Sequence, residues 1–445
     1  MVSNWRQLPD LGAPLPLART EGAAVLLDLP DGERPTARLR FVDGDDLFVS
    51  WVWEHQRSSP RMTLIARDLV APVLDRLARA LPSPLPGESG VDALTRALTH
   101  GDLLDPEREQ ELAGMLTAAL IPQWLGAELD ALEEAGLRPH LRIQLSPSTA
   151  QLPWELLSTS GRERGVDMAD ASVLLPATLR NDPSRSVSPW SPSSPVAAVL
   201  DPVVPGFSDT SELGSVLGPV SPDSPLALAI DALGRRRMPQ GDAFRRADID
   251  RTALANALDG AGRLLYVGHV TASTHALDAR LHLSDGADAP GDTPPIGAHR
   301  PYSAAEIALG GGVGLPPLTA PNRVALIACD SGTDLRFAEP TGLVAAFLHR
   351  GAEYVTATRW TLPTEAGLRR LVPALGDRAE GMLTDAVIAV NAAHESHDPV
   401  GALGAWQREQ RRLWTSTGDP RHSPIMWGAF ATAWAPEPVQ APSRV

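Results

Sequence analysis

Short apolar runs recur along the last two thirds of the chain: Leu141 to Leu145, Ala171 to Leu175, Val196-Ala-Ala-Val-Leu200, Arg263 to Val267, Arg323 to Ala328 and Glu353-Tyr-Val-Thr-Ala357. Helical stretches such as Thr252 to Leu258 and Gly342 to His349 separate several of them. Strands alternating with helices give a mostly parallel sheet covered on both sides, so the fold class expected is an α/β sandwich flanked by helices. The 445 residues are 43% hydrophobic, enough to bury such an interior.

A different pattern precedes it. Residues 1–60 read as a small β-rich module: Ala23 to Leu29, a turn at Asp31-Gly32, Ala37 to Val42, a second turn at Asp43-Gly44, then Leu47 to Trp53. Asp-Gly between apolar runs is a strong hairpin signal, so an antiparallel meander is expected, with Trp51 and Trp53 packing inside it. From Met62 to Leu137 the period is helical, as in Val70 to Leu81 and Leu112 to Leu120, giving a helical connector over 61–137. The main domain then spans 138–434, with a frayed tail at 435–445. Two long irregular segments, 181–225 and 286–321, interrupt it; loops of that length in a compact domain are functional or disordered.

Composition excludes several chemistries. Net charge is -15, and the one dense basic cluster, Gly234-Arg-Arg-Arg237, suits a solvated helix end, so direct nucleic-acid binding is not expected. The chain contains no lysine, which removes phosphate-loop, kinase and Schiff-base mechanisms. No stretch approaches eighteen consecutive apolar residues, and the start lacks the basic-then-apolar order of a secretory signal, so a cytoplasmic protein without membrane contact is expected. Neither cofactor nor metal is expected. His394-Glu-Ser-His397 offers two imidazoles without a third ligand and reads as a solvated helix terminus, while His275 and His282 read as surface residues.

Cys329 is the only cysteine, so it forms neither an intrachain disulfide nor a Cys-rich metal site. It ends the run Val324-Ala-Leu-Ile-Ala-Cys329, and His269 ends Leu264-Leu-Tyr-Val-Gly-His269 in the same way. Functional groups in open parallel sheets collect at the carboxyl ends of strands, and adjacent strands would bring a base to a thiol. A thiol titrates near pH ~8.5, and a nearby imidazole takes its proton or stabilises its anion. Backbone N–H groups at such strand ends suit an oxyanion, that of Cys329 first. Packing alone is the competing account of a lone cysteine after an apolar strand.

The stretch 138–434 resembles the CHAT family of caspase-like cysteine peptidases. The resemblance rests on Leu152-Pro-Trp-Glu-Leu-Leu157, Leu265-Tyr-Val-Gly-His269, Ala328-Cys-Asp-Ser-Gly332, the Thr341 to Trp360 block and Trp427-Gly-Ala-Phe430, all in family order. It implies a caspase-like sandwich in which Cys329 is the nucleophile and His269 the base. It also implies an oxyanion held by the backbone of Cys329 and Val270, and a protein or peptide substrate held in a side-chain pocket. Two positions depart from the family pattern: Val270 stands where glycine is usual, and Thr361-Leu-Pro-Thr-Glu365 replaces an acidic position after Trp360. Around the expected pocket, Asp330, Asp334 and Glu365 would favour a basic side chain and Arg359 an acidic one, beside Trp360. The N-terminal module is the expected seat of an activating or regulatory partner, in a bacterial defence or signalling setting. Two other readings stay open on these residues: a non-catalytic scaffold of the same fold, and a Cys-dependent amidase or acyltransferase.

Overall fold

The computed structural model describes residues 29, 33–158, 163–271, 275–312, 314–315, 317–329, 342–373, 375–376 and 380–437, with Cys329 by its backbone. The expected strand at Ala23 to Leu29 and the turn at Asp31-Gly32 therefore lie almost wholly outside the described residues, as does most of the tail.

Among the described residues thirteen strands form one sheet: β1 Thr36–Asp43, β2 Leu47–Trp53, β3 Arg61–Ile65, β4 His140–Gln144, β5 Asp170–Val173, β6 Val196–Leu200, β7 Arg237–Met238, β8 Arg263–Thr271, β9 Arg280–Leu281, β10 Tyr302–Ser303, β11 Arg323–Cys329, β12 Tyr354–Thr358 and β13 Phe430–Trp434. From one side the order runs β3, β2, β1, β4, β5, β13, β12, β11, β8, β6, β7, and β9 and β10 extend the end of β8. The pairs from β6 through β8 and β11 to β12 are parallel. β13 runs antiparallel to β12.

Successive residues of the central strands enter different cores, as a period of two requires. Leu265 and Val267 of β8 and Ala325 and Ile327 of β11 pack on one side, with α1 Arg67–Ala80, α3 Pro106–Leu120, α4 Gln123–Glu134 and α7 Met382–Ala393 contributing to the same core. Leu264 and Tyr266, with Val324 and Leu326, pack on the other beneath α5 Arg251–Leu258 and α6 Leu343–His349. The remaining long helices are α2 Gly90–His100 and α8 Pro399–Thr417. This is the mostly parallel, helix-flanked sheet that the apolar runs predict.

Three local expectations change. Arg61–Ile65 is a strand, not the start of the helical region, because its residues alternate in exposure and pair antiparallel with β2 before α1 begins at Arg67. Phe430–Trp434 is a core strand rather than only a closing motif. The β-rich module is also not separate. β1 pairs in parallel with β4 from Thr36↔His140 to Arg40↔Gln144, so the expected boundary near residue 137 falls inside a single sheet and a shared core. Trp51 and Trp53 pack inward as expected, and both indole N–H groups donate to one Glu128 carboxylate oxygen at 2.8 and 2.9 Å.

The long segments are tied down where they are described. Trp190 lies over the Arg323 guanidinium at 3.3 Å, a cation–π contact. Arg185 is buried and donates to the carbonyls of Leu348 and Ala352 at 2.8 and 2.7 Å. Residues 290–306 gather around the buried Arg251, which donates to Asp285 and Glu306 at 3.0 and 3.2 Å.

Candidate active site

β8 and β11 are adjacent and parallel, and their register pairs run from Arg263↔Arg323 to His269↔Cys329. The two residues singled out in the sequence are thus register partners at the carboxyl edge of the sheet, where neighbouring backbones lie about 4.8 Å apart. On β11, the carbonyl of Ala328 accepts from Thr358 Oγ1 at 3.3 Å, which ties that strand end to β12.

His269 is half-buried. Its Nε2 lies 2.8 Å from the carbonyl of Gly214. A carbonyl only accepts, so Nε2 carries the proton and Nδ1 keeps its lone pair. Burial pushes the imidazole below its ordinary pKa; the Gly214 carbonyl and the Asp201 carboxylate oppose that shift, and Arg245 adds to it.

The peptide after His269 is also fixed. The His269 carbonyl accepts from the Tyr266 hydroxyl at 2.7 Å and from the N–H of His282 at 3.1 Å, so it is turned toward β9. A trans peptide sends the next N–H the opposite way. The Val270 N–H is therefore directed to the β11 side. Val270 belongs to strand β8 and has no positive φ, since among the described residues only Asp201 and Arg245 of the non-glycines do. A β-branched residue suits that extended backbone, so replacing glycine here costs no strain.

Gly268 makes the Tyr266 contact possible. A Cβ at Gly268 would stand 2.6 Å from the Tyr266 hydroxyl and 3.3 Å from Pro202, so only glycine lets the ring reach the two carbonyls of His269 and His282.

Behind this edge lies a directional hydrogen-bond chain that sequence reading places wrongly. His282 is fully buried rather than at the surface, and so is His299. His299 Nδ1 donates to the Asp285 carbonyl at 2.9 Å, His282 Nδ1 donates to His299 Nε2 at 3.1 Å, and Thr271 Oγ1 donates to His282 Nε2 at 2.9 Å. The terminal carbonyl dictates every tautomer along the chain. His275 is exposed, as expected.

His394 is another correction. It is fully buried instead of solvated, with Nε2 2.7 Å from Thr356 Oγ1, while His397 meets the edge of Trp190 at 5.6 Å. Among the described residues no group of three or more His, Cys, Asp or Glu side chains is placed to hold a metal ion.

The expected pocket residues scatter. Asp330 and Asp334 lie outside the described residues. Arg359 is buried, and its guanidinium grips both oxygens of Glu155 at 2.8 and 2.9 Å and donates to the carbonyls of Gly428 and Phe430 at 2.9 and 3.2 Å. A guanidinium neutralised in the core offers no free charge to a substrate, so the expected pocket role is replaced by a structural one. Trp360 is fully buried, with its indole N–H on the Ile425 carbonyl at 3.0 Å. Glu365 is half-buried and accepts from the Gly381 N–H at 2.9 Å; burial raises its pKa.

Asp201 is the residue that sequence reading missed. It directly follows β6, whose Leu200 pairs with Val267 of β8, so it stands on the same edge as His269 and Cys329. The signal was present: Val196-Ala-Ala-Val-Leu-Asp201-Pro202 is a third apolar run that ends in a polar residue before a loop.

The chain is similar over 90% of its length to a chain in the crystal structure of the Saccharomyces cerevisiae separase-securin complex at 2.6 Å, with 9% identity and a TM-score of 0.46. For the same complex at 3.0 Å the values are 93%, 11% and 0.43. The chain spans 30% and 31% of those chains' own length. No curated protein matches the sequence. The family model described as the CHAT domain matches residues 110–434, nearly three quarters of the sequence, and the chain belongs to the CHAT domain family.

Proposed function

We propose that the protein is a cysteine endopeptidase that cleaves a protein substrate with Cys329 and His269. The observation that carries this reading is the register pairing of those two residues at the carboxyl edge of adjacent parallel strands, with the His269 imidazole already oriented by a backbone carbonyl. Membership of a family of caspase-like peptidases supports it.

His269 Nδ1 takes the thiol proton, and the thiolate attacks the scissile carbonyl carbon. The carbonyl oxygen becomes an oxyanion held by the backbone N–H groups of Cys329 and Val270. Collapse of the tetrahedral intermediate breaks the C–N bond while the imidazolium donates its proton to the leaving amine. Water, deprotonated by His269, then hydrolyses the thioester and restores the thiol. The direction of the Val270 N–H toward β11 favours this reading over a non-catalytic scaffold, because the glycine-to-valine departure leaves the donor in place. Substrate recognition is assigned to residues other than Arg359 and Trp360. Among the described residues no single helix is long and apolar enough to cross a membrane. The regulatory partner belongs at the N-terminal strands, and a role in bacterial defence or signalling follows from the resemblance alone.

The test uses the single thiol. Intact-mass kinetics with iodoacetamide near neutral pH should give rapid labelling at Cys329, slowed by about tenfold or more in His269→Ala. A peptide library should then show cleavage that disappears in Cys329→Ala. Equal, slow labelling in wild type and His269→Ala, together with no Cys329-dependent cleavage, would leave the scaffold reading standing.

A further inference from the structure

The loop over His269 is built around one carboxylate. Asp201 is buried, and it adopts a left-handed backbone with φ of 54°. The only other described non-glycine residue with positive φ is Arg245, at 51°, and its Nη1 lies 3.5 Å from Asp201 Oδ1. Unfavoured backbone conformations of this kind persist only where surrounding contacts impose them, and they concentrate at functional sites. Asp201 makes such contacts on both sides. Its N–H donates to Val267 of β8 at 2.6 Å. Its carboxylate accepts from Ser215 Oγ at 2.5 Å and from the N–H groups of Val216 and Leu217 at 3.0 and 3.4 Å.

Those three donors directly follow Gly214, whose carbonyl meets His269 Nε2. Gly214 is itself wedged in place. Its N–H donates to Ser211, the next N–H donates to Asp209, and a Cβ at Gly214 would stand 2.4 and 2.5 Å from the carbonyl oxygens of Asp209 and Ser208. The outer end of the turn is held by Arg245, which pairs with Asp209 as well as with Asp201. The segment 208–218 is therefore bonded at both ends, and Asp201 is the group that fastens it to the strand edge.

We propose that Asp201 is a positioning residue: by fastening the 208–218 turn through Ser215, Val216 and Leu217, it holds the Gly214 carbonyl against His269 and so keeps the imidazole in the tautomer with Nδ1 free. The proposal rests on the reading of His269 as the general base. It makes the edge a three-strand device, with β6 supplying the positioning carboxylate, β8 the imidazole and β11 the thiol.

Asp201→Gly separates this role from backbone tolerance, because glycine accepts positive φ without strain but offers no acceptor. Asp201→Asn keeps one acceptor oxygen and loses the charge. Nitrogen-15 NMR of histidine-labelled protein, with the His269 resonance assigned by His269→Gln, should show the Nε2–H form in the wild type and a mixture of tautomers in folded Asp201→Gly. Alkylation of Cys329 at pH 7 should slow by about tenfold or more in Asp201→Gly and less in Asp201→Asn. Gly214→Ala, which displaces the carbonyl from the other side, should reproduce the tautomer change. Should Asp201→Gly fail to fold, Ser215→Ala removes one bond to the carboxylate and should give the same change at smaller amplitude. An unchanged His269 tautomer and unchanged alkylation rate in folded Asp201→Gly, or in Ser215→Ala and Gly214→Ala together, would overturn the proposal. The NMR measurement does not depend on turnover. A tautomer shift in a protein that cleaves no peptide would therefore refute the peptidase reading and leave the positioning role intact.

Discussion

Arg359 carries its guanidinium into the core because Glu155 meets it there with two hydrogen bonds and the carbonyls of Gly428 and Phe430 accept further bonds from its Nη1. Three of the sequence landmarks are thereby knotted together: Leu152 to Leu157 supplies the carboxylate, the strand before Trp360 the guanidinium, and Trp427 to Phe430 the carbonyls. A buried pair contributes little net stability compared with apolar residues of the same volume, but removing one partner strands the other's charge. Glu155→Gln should therefore cost about 3–5 kcal/mol in urea unfolding, and Glu155→Leu with Arg359→Met should recover much of that loss. If the single and double variants lose the same stability, the pair is not what holds this corner. The landmarks were legible in the sequence as short motifs, whereas their meeting was not. Glu155 and Arg359 stand 204 positions apart, and nothing local in either motif says that the charge on Arg359 is already matched.

At the scale of strands and helices, the carboxyl ends of β6, β8 and β11 were readable because each is an apolar run that stops at a polar residue. The depth of the histidines was not readable, since spacing reports which face of an element a residue occupies and not what later folds over that face. His140 on β4, His394 at the end of α7, and His282 and His299 in the segment after β8 are all buried. Burial, the first cause in each case, holds all four below their ordinary pKa. His140 and His394 fall to about 3. Arg34 and Arg142 add to the shift at His140 against Asp170, and Arg263 and Arg323 add to it at His394. In the unfolded chain each would titrate near ~6.5, so below that pH the unfolded state binds more protons than the folded one. The stability these neutral imidazoles bring is thus complete above pH ~6.5 and is lost as the pH falls toward the folded values, at about 1.4 kcal/mol per pH unit for each. Urea unfolding at pH 7, 6 and 5 should show this steep acid loss, and His394→Gln should flatten it by one proton's worth. A slope unchanged by His394→Gln would mean that this imidazole is protonated in the fold.

On the scale of the whole molecule, the N-terminal strands and helices complete the sheet domain instead of being appended to it. Periodicity marks a change of pattern near residue 137, and among the described residues a meander and four α-helices precede it. What periodicity cannot reveal is which edge the meander joins, because pairing between β1 and β4 spans about a hundred residues. The bonds across that join are numerous and buried. Phe41 packs on Trp154 with ring centroids 4.8 Å apart, and the buried Glu109 of α3 accepts from Arg164 at 3.2 Å and from the Trp414 indole at 3.3 Å. Arg34 reaches Asp170, which also binds Arg138 and Arg408 at 2.7 and 3.1 Å. A chain of residues 138–445 would expose β4 as an open edge, uncover the apolar side of Leu141 and Ile143, and strip Arg164 and Trp414 of the Glu109 carboxylate they share. Expressed alone, that fragment should aggregate or show no cooperative thermal transition, while the full chain gives a single one by circular dichroism. A monomeric fragment with its own sharp transition would restore an independent peptidase unit with a detachable module. If the fragment fails, release of the N-terminal region by cleavage cannot be the way the edge at His269 and Cys329 is switched on. Under the proposed peptidase function, control must then reach it with the sheet intact.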